Sequence, residues 1–342
     1  MDIVIGLLII AAGAFCQSSS YVPINRIKSW HWESYWIIQG VFAWLVLPFL
    51  GALLAVPSGG SLFGLFMSDP KATILTIVFG MLWGIGGLTF GLSMRYLGVA
   101  LGQSIALGIC AALGTILGPV VLNLLYPGCG MLNAISMPVI IGVIVTLAGI
   151  AVIGRAGDMK ASSLSDEEKK RSVKEFDFTK GIAVAVVCGL MSACFNIGLA
   201  LGSGLSFPQS DPMVTSLPAT FLVTLGGFVT NAVYCFRLNS RNGTWSDYRT
   251  RGVWINNLLF CFVAGTLWYS QFFGLSLGKG FLAGSAALTT FAWCILMALN
   301  IVFSNIWGII LKEWKGCSRK TIYTLLVGIL ILIISTFLPQ IL

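Results

Sequence analysis

Residues 135–154 read ISMPVIIGVIVTLAGIAVIG, an uncharged run that ends directly before Arg155. A helix of about 20 residues spans roughly 30 Å, the thickness of the hydrocarbon layer of a bilayer. Similar apolar runs recur along the whole chain, and short polar segments separate them. The sequence therefore predicts an all-α polytopic membrane protein.

Ten such runs divide the chain, and one long polar stretch separates the first five from the last five. The predicted helices cover residues 3–22, 35–56, 72–95, 99–125, 135–154, 180–202, 212–236, 254–275, 281–310 and 321–339. We interpret 1–154 and 180–342 as two five-helix repeats and 155–179 as a cytoplasmic linker. Within the linker, Ser165-Asp-Glu-Glu168 is typical of a capping box that opens a short surface helix.

Composition supports a lipid-embedded chain. Of the 342 residues, 57% are hydrophobic and 9% are charged, whereas soluble domains carry about 25% charged residues. The first run follows Met1-Asp2 without a basic segment, so we expect it to be retained as a helix and not cleaved as a signal peptide. The cysteines show no CxxC spacing, which favours apolar packing over disulfides or a metal site. Those inside apolar runs are Cys16, Cys110, Cys188, Cys194, Cys235, Cys261 and Cys294.

The basic residues are distributed unevenly among the loops. A formal charge of +8 could suit nucleic acid, but all Lys and Arg residues except Lys71 and Lys279 fall in the odd-numbered loops. Because cytoplasmic loops are enriched in Lys and Arg, these loops are predicted to be cytoplasmic and both termini to lie outside. The residues are Arg26, Lys28, Arg95, Arg155, Lys160, Lys169, Lys170, Arg171, Lys174, Lys180, Arg237, Arg241, Arg249, Arg251, Lys312, Lys315, Arg319 and Lys320.

A short motif occurs once in each half of the chain. Phe90-Gly-Leu-Ser93 recurs as Phe273-Gly-Leu-Ser276, after the pairs Leu82-Trp83 and Leu267-Trp268. The third and eighth helices are therefore interpreted as equivalent. Because each repeat has an odd number of helices, the second would be inverted relative to the first, as in many secondary transporters.

Enzyme motifs are absent from the sequence, which contains no HExxH, GxSxG or P-loop pattern. We predict no catalytic residue, cofactor or metal. The repeated small residues Gly80xxxGly84, Gly87xxxGly91, Gly98xxxGly102 and Gly114xxxGly118 are interpreted as close helix contacts. All twelve acidic residues fall in loops or at helix ends, which argues against antiport through a mid-membrane carboxylate.

Uncharged polar and aromatic residues form stripes on several predicted helices. Amide and hydroxyl groups beside indole rings suit a neutral sugar, whose hydroxyls need donors and acceptors and whose C–H faces pack on aromatic rings. Each residue has a second interpretation as interhelical contact. The predicted substrate-binding residues are Gln17, Trp83, Gln103, Asn196, Trp268, Gln271 and Trp293. Trp44 is expected to lie outside the site.

Several segments together resemble the L-rhamnose/proton symporter family of the drug/metabolite transporter superfamily. They occur in the right order over nearly the whole chain. They are Pro23-Ile-Asn-Arg26-Ile-Lys28, Gly80-Met-Leu-Trp83-Gly-Ile-Gly86, Met94-Arg95-Tyr96-Leu97-Gly98, Leu267-Trp268-Tyr269-Ser-Gln271-Phe272-Phe273 and Leu311-Lys312-Glu313-Trp314. Between 277 and 310 the chain is less polar than the family pattern. The resemblance implies ten helices in a bacterial inner membrane and import of L-rhamnose with protons by alternating access.

Proton coupling, as the resemblance implies it, would have to use groups near helix ends. The candidates are His31, Glu33, Asp211 and Glu313. His31 lies between Trp30 and Trp32, and an interfacial aromatic position is the favoured interpretation of it. The alternatives are a carrier for another small metabolite, sodium-coupled or uncoupled, or a non-transporting membrane receptor. The expected partners are a sugar, the coupling ion and membrane lipid, without nucleic acid.

Overall fold

The computed structural model describes residues 2–97, 99–163, 178–312 and 314–342. Within these ranges the chain forms helices and no strand. The helices are α1 (Asp2–Ser19), α2 (Tyr21–Ile24), α3 (Trp32–Gly40), α4 (Leu47–Leu53), α5 (Leu62–Ser68), α6 (Pro70–Leu97), α7 (Val99–Leu125), α8 (Met137–Ser162), α9 (Phe178–Leu201), α10 (Leu217–Asn242), α11 (Trp254–Leu282), α12 (Ala286–Ile310), α13 (Arg319–Ser335) and α14 (Leu338–Ile341). A π-helical turn, Val41–Val46, joins α3 to α4.

Nine helical segments in the described ranges are long and apolar enough to cross a bilayer. They are Asp2–Ile24, Trp32–Leu53, Pro70–Phe90, Ser104–Leu125, Met137–Lys160, Thr179–Leu201, Leu217–Asn242, Trp254–Leu282 and Ala286–Ile310. They correspond to the first nine predicted runs, and the chain is a multi-pass membrane protein. The tenth run, 321–339, contains α13, which has 17 residues, and the short α14.

Some helix ends differ from the sequence prediction. Helix α8 continues to Ser162, into the segment predicted as a linker. Helix α10 begins at Leu217 with Pro218 in its first turn and ends at Gly243, whose φ of 69° is left-handed. Proline near the start and glycine just past the end are helix-boundary signals. The helix therefore has these limits and not the limits 212–236 that the apolar pattern predicted. The predicted capping box at Ser165–Glu168 lies outside the described residues.

The described helices form two compact units. The first, here called unit 1, comprises Met1–Gly84 and Gly198–Leu282, and the second, unit 2, comprises Ile85–Ile197 and Ala283–Leu342. Each unit draws on both halves of the sequence, and α6 and α9 are divided between them. The division into repeats over 1–154 and 180–342 concerns the order of helices along the chain and stays a prediction.

Helices α6 and α10 cross closely in unit 1 because glycines face each other. A Cβ atom on Gly80 would lie 2.2 Å from the carbonyl oxygen of Val223, and one on Gly226 would lie 2.1 Å from that of Ile77. A Cβ on Gly84 would lie 3.1 Å from the Gly227 oxygen. The prediction of close helix contact at Gly80xxxGly84 is confirmed.

Helix α1 lies along α11 in unit 1 in the same way. A Cβ on Gly6 would be 2.9 Å from the carbonyl oxygen of Gly278, and one on Gly13 would be 2.9 Å from that of Ser270. In unit 2, Gly149 and Gly328 bring α8 and α13 together beside an aliphatic core. That core contains Ile150, Ile153, Ile301, Leu325, Ile329 and Leu332.

Candidate functional site

Three tryptophans from three different membrane spans meet inside unit 1. The ring centroids of Trp83 and Trp268 are 5.7 Å apart with an interplanar angle of 34°. Trp44 meets both rings edge-on, at 6.1 Å from Trp83 and 5.8 Å from Trp268. We call these three residues the indole cluster.

The indole cluster lies at mid-span. Trp268 is the central residue of Trp254–Leu282, and Trp44 and Trp83 are within a turn of the middle of Trp32–Leu53 and Pro70–Phe90. The rings therefore come from the part of each helix that would lie near the bilayer midplane. Secondary transporters bind their substrates at this depth.

Two glycines provide the space for these rings. A Cβ on Gly40 would lie 2.6 Å from Cε3 of Trp44, and one on Gly227 would lie 2.1 Å from Cζ3 of Trp83. Any larger residue at either position would have to displace an indole. Because Gly40 and Gly227 have no side chain, the rings of Trp44 and Trp83 can occupy these positions.

Further aromatic and amide groups surround the cluster. The Phe272 ring is 5.0 Å from that of Trp268, and the Trp36 ring is 5.5 Å from that of Trp44. The indole N–H of Trp36 donates to Oδ1 of Asn231 at 3.0 Å. The buried Gln271 amide donates to the carbonyl oxygen of Trp268 at 3.2 Å. Rings and amides thus stand together, as the sequence predicted for Trp268 and Gln271.

The sequence favoured a position for Trp44 outside the predicted site, but the structure brings its ring against two of the predicted residues. Trp44 is 3% exposed and contacts both predicted tryptophans. Trp44 lies within the π turn Val41–Val46, and the absence of a side chain at Gly40 leaves room for its ring. The apolar pattern of this span carries no signal for the π turn or for the contact of Trp44 with Gly40.

The other predicted binding residues are distributed over both units. Gln17 is half-buried on α1 in unit 1, whereas Asn196 and Trp293 belong to unit 2. The Asn196 amide donates to the carbonyl oxygen of Gly114 at 2.7 Å, and the Trp293 indole donates to that of Cys110 at 3.2 Å. These two residues fit the interpretation as interhelical contacts. Gln103 lies in α7, and its side chain is outside the described part of the structure.

A buried polar network lies at the start of the second span. Glu33, 5% exposed, accepts hydrogen bonds at Oε1 from Asn242 at 2.9 Å and Thr244 at 3.0 Å. The Thr244 hydroxyl oxygen is also 2.7 Å from Oδ1 of Asn239, so its single hydrogen is shared between the two acceptors, and Ser34 donates to the same Asn239 oxygen at 3.0 Å. The first turn of α3 is therefore tied to the end of α10 through a carboxylate.

His31, directly before α3, contacts Asp247. The backbone N–H of His31 donates to Oδ2 of Asp247 at 2.8 Å, and Nδ1 of the ring is 3.1 Å from the same oxygen. Burial by itself would raise the pKa of the Asp247 carboxyl, but the hydrogen bonds from His31 and Ser34 outweigh it and lower that pKa below its ordinary value. Asp247 is therefore held as a carboxylate, a role that its loop position did not reveal.

The remaining coupling candidates differ in setting. Asp211 is exposed and accepts a hydrogen bond from the backbone N–H of Met213 at 2.8 Å. Glu313 lies outside the described residues. Among the described candidates, Glu33 is the buried carboxylate.

Comparison with known proteins bears on this arrangement. The family model for the L-rhamnose-proton symport protein matches residues 1–340. The chain belongs to this family. The match includes the stretch 277–310, where the sequence is less polar than the resemblance implied.

Several curated relatives carry the name L-rhamnose-proton symporter. The protein from Mannheimia succiniciproducens is 30% identical, over 98% of this chain and 96% of the relative. Those from Salmonella paratyphi A and Yersinia pestis are 31% and 30% identical, over 96% and 97% of this chain and 94% and 96% of the relatives. The family consists of secondary transporters and not of enzymes, which confirms the resemblance seen in the sequence.

Proposed function

We propose that the protein imports L-rhamnose in symport with protons by alternating access. The observation that carries the proposal is the indole cluster at mid-span, in a chain whose relatives are named for this activity. Two indoles that precede the repeated Phe-Gly-Leu-Ser motif in the two halves, Trp83 and Trp268, provide apolar faces for the C–H groups of the sugar. Gln271 provides an amide beside them.

The chemistry of the cluster suits an uncharged ligand. The side chains of Trp44, Trp83, Trp268, Phe272 and Gln271 carry no formal charge. A charged substrate would therefore find no counter-ion among them. A neutral sugar loses less on desolvation and gains ring contacts. Of the alternatives, sodium-coupled or uncoupled transport finds no support in the relatives, which are named for protons.

The decisive test is uptake by proteoliposomes that contain the purified protein. Labelled L-rhamnose should accumulate when an inward proton gradient is imposed and should not accumulate with a sodium gradient alone. Accumulation that requires sodium, or none under either gradient, would contradict the proposal.

We further propose ten membrane spans in the bacterial inner membrane, with α13 as the tenth and both termini outside. The 17 residues of α13 span about 26 Å, which lies at the short end of the membrane-spanning range. Exposed apolar side chains on the spans, such as Leu8, Val233, Ile255 and Leu330, are proposed to face lipid. Ten spans would put both termini on the same side of the membrane, and the Lys and Arg distribution supports the outside as that side.

Reporter fusions test this topology. A reporter active only in the cytoplasm should be active when it is fused after Ser163 and silent after Leu342, because the charge bias places the first position inside and the second outside. The two fusions serve as controls for each other. The opposite pattern would overturn the orientation, and activity at both positions would overturn the ten-span count.

Glu33 is the proposed proton-coupling residue. Its carboxylate is buried and lies in the first turn of the span that carries Trp44. A proton bound to this carboxylate would remove its charge. Replacement Glu33→Gln should abolish gradient-driven accumulation of L-rhamnose, because the amide cannot exchange a proton, while sugar exchange without a gradient persists. Both activities are measured in the same proteoliposomes.

Asp211→Asn is the matched control, because it also neutralises one carboxylate but at an exposed position. It should accumulate sugar like the wild type. Normal accumulation by Glu33→Gln would refute its role and direct attention to His31 and Glu313. If all four neutralised variants accumulate sugar, coupling through these side chains is wrong.

A further inference from the structure

We propose that Gln39 and Trp44, both on the second membrane span, bind the sugar together with the rest of the indole cluster. The indole N–H of Trp44 donates a hydrogen bond to one sugar hydroxyl, and the amide oxygen of Gln39 accepts one from another. This inference rests on the proposed function, since it takes the ligand to be a small neutral sugar.

Both polar groups are buried without a partner. Gln39 is 2% and Trp44 is 3% exposed, and neither Oε1 of Gln39 nor Nε1 of Trp44 has a hydrogen-bond partner in the described part of the chain. Buried polar groups in native proteins nearly always have such partners. A donor and an acceptor left open on one span are therefore a site for a ligand that supplies hydroxyl groups.

Trp36, a tryptophan of the same span, has a hydrogen-bond partner for its indole N–H inside the protein. Its ring also contacts Trp44, but its N–H is bonded to Asn231, whose own amide donates to the carbonyl oxygen of Gly227 at 2.8 Å. The protein thus satisfies the indole N–H of Trp36 and leaves that of Trp44 open.

The π turn Val41–Val46 begins two residues after Gln39 and contains Trp44. Its hydrogen bonds join residues five apart, as from the Leu47 N–H to the Phe42 oxygen, so residues at this spacing come nearer to one face than in a regular α-helix. Gln39 and Trp44 are separated by this spacing. Single π turns within α-helices occur often at functional sites.

Gln39 also lies next to the helix that carries Trp268. A Cβ on Gly265 would be 3.1 Å from the backbone oxygen of Gln39, so α11 crosses the second span at this point. Trp268 follows Gly265 by three positions and shares its helix face. Gln39 is therefore about one helical turn from the indole cluster.

A sugar hydroxyl both donates and accepts hydrogen bonds. The Trp44 N–H and the Gln39 carbonyl oxygen can orient the ring, while its C–H groups pack against the indole cluster. The second span would then contribute the polar contacts that select among sugars.

Conservative variants test this assignment in the full-length protein. Trp44→Phe keeps an aromatic ring but removes the N–H, and Gln39→Met keeps the approximate length but removes the amide. Each should weaken L-rhamnose binding about tenfold, as expected for one lost buried hydrogen bond. Trp36→Phe is the matched control and should retain wild-type affinity, since its N–H serves Asn231. Binding is measured by calorimetry on protein whose thermal unfolding shows it to be folded.

The outcomes separate this inference from the proposed function. If Trp44→Phe and Gln39→Met keep wild-type affinity while Trp83→Ala loses it, the inference is overturned and the proposed function stands. Equal losses in Trp36→Phe and Trp44→Phe would also overturn it, because packing would then explain both. Absence of L-rhamnose binding by the wild type would refute the proposed function itself. Should Gln39→Met fail to fold, Gln39→Asn takes its place. The shorter side chain withdraws the amide oxygen by one methylene, and the same loss of L-rhamnose affinity is expected.

Discussion

Replacing Trp83 or Trp268 by alanine is expected to lower the affinity for L-rhamnose by about 5- to 150-fold, the equivalent of roughly 1 to 3 kcal/mol for a buried aromatic contact. The two rings lie 5.7 Å apart at mid-span, and each would lose its contact with the sugar. Gln271→Ala is expected to weaken binding as well, because its amide stands on the same face of α11 as Trp268. Equilibrium binding to the purified variants is the measurement.

The control for this experiment is Trp245→Ala. Trp245 is 45% exposed in the segment after α10, where its ring stacks on Phe236, so its removal should leave affinity unchanged. Trp44 is unsuitable as a control because it belongs to the cluster. Trp83 and Trp268 are half-buried, and truncating either indole leaves a partial cavity that destabilises the protein, so each variant must be shown to be folded. Folded variants of Trp83, Trp268 and Gln271 with wild-type affinity would contradict the site, and the polar residues of α1, α9 and α12 would be tested next.

Gly226→Ala is expected to destabilise the protein by about 3 kcal/mol or more. The added methyl carbon would lie 2.1 Å from the backbone oxygen of Ile77, and no side-chain rotation relieves contact with a backbone atom. Helices α6 and α10 would have to move apart, which also disturbs Trp83. Thermal and denaturant unfolding in detergent measure the effect.

Gly108→Ala is the matched control on another membrane span. Its methyl group would meet Ile150 and Leu147 at 3.5 Å, an ordinary van der Waals distance, and alanine is intrinsically more favourable than glycine in a helix by about 1 kcal/mol. We therefore expect Gly108→Ala to be neutral or stabilising. Equal stability of the two variants would show that the α6–α10 crossing is not as tight as described.

The candidate site was only partly accessible from the sequence. The repeated Leu-Trp pairs identified Trp83 and Trp268, and helix periodicity placed Gln271 beside Trp268. The same reasoning excluded Trp44, because a π turn leaves no trace in hydrophobic periodicity. It also predicted Asn196 and Trp293, which belong to unit 2 and whose polar atoms bond to the backbone of α7.

The sequence by itself determined that the chain is a helical membrane protein, the positions of its main spans and the family to which it belongs. These properties depend on local features, since a membrane helix satisfies its backbone hydrogen bonds within its own segment and needs only sufficient apolar length. Only the tertiary structure decided which faces of the helices meet. Apolar residues occur on all faces of a membrane span, so hydrophobic periodicity does not reveal which faces meet. Glycines such as Gly80, Gly226 and Gly227, together with the π turn beside Gly40, select the contacts. Through them Trp44, Trp83 and Trp268, far apart in sequence, are assembled into one cluster.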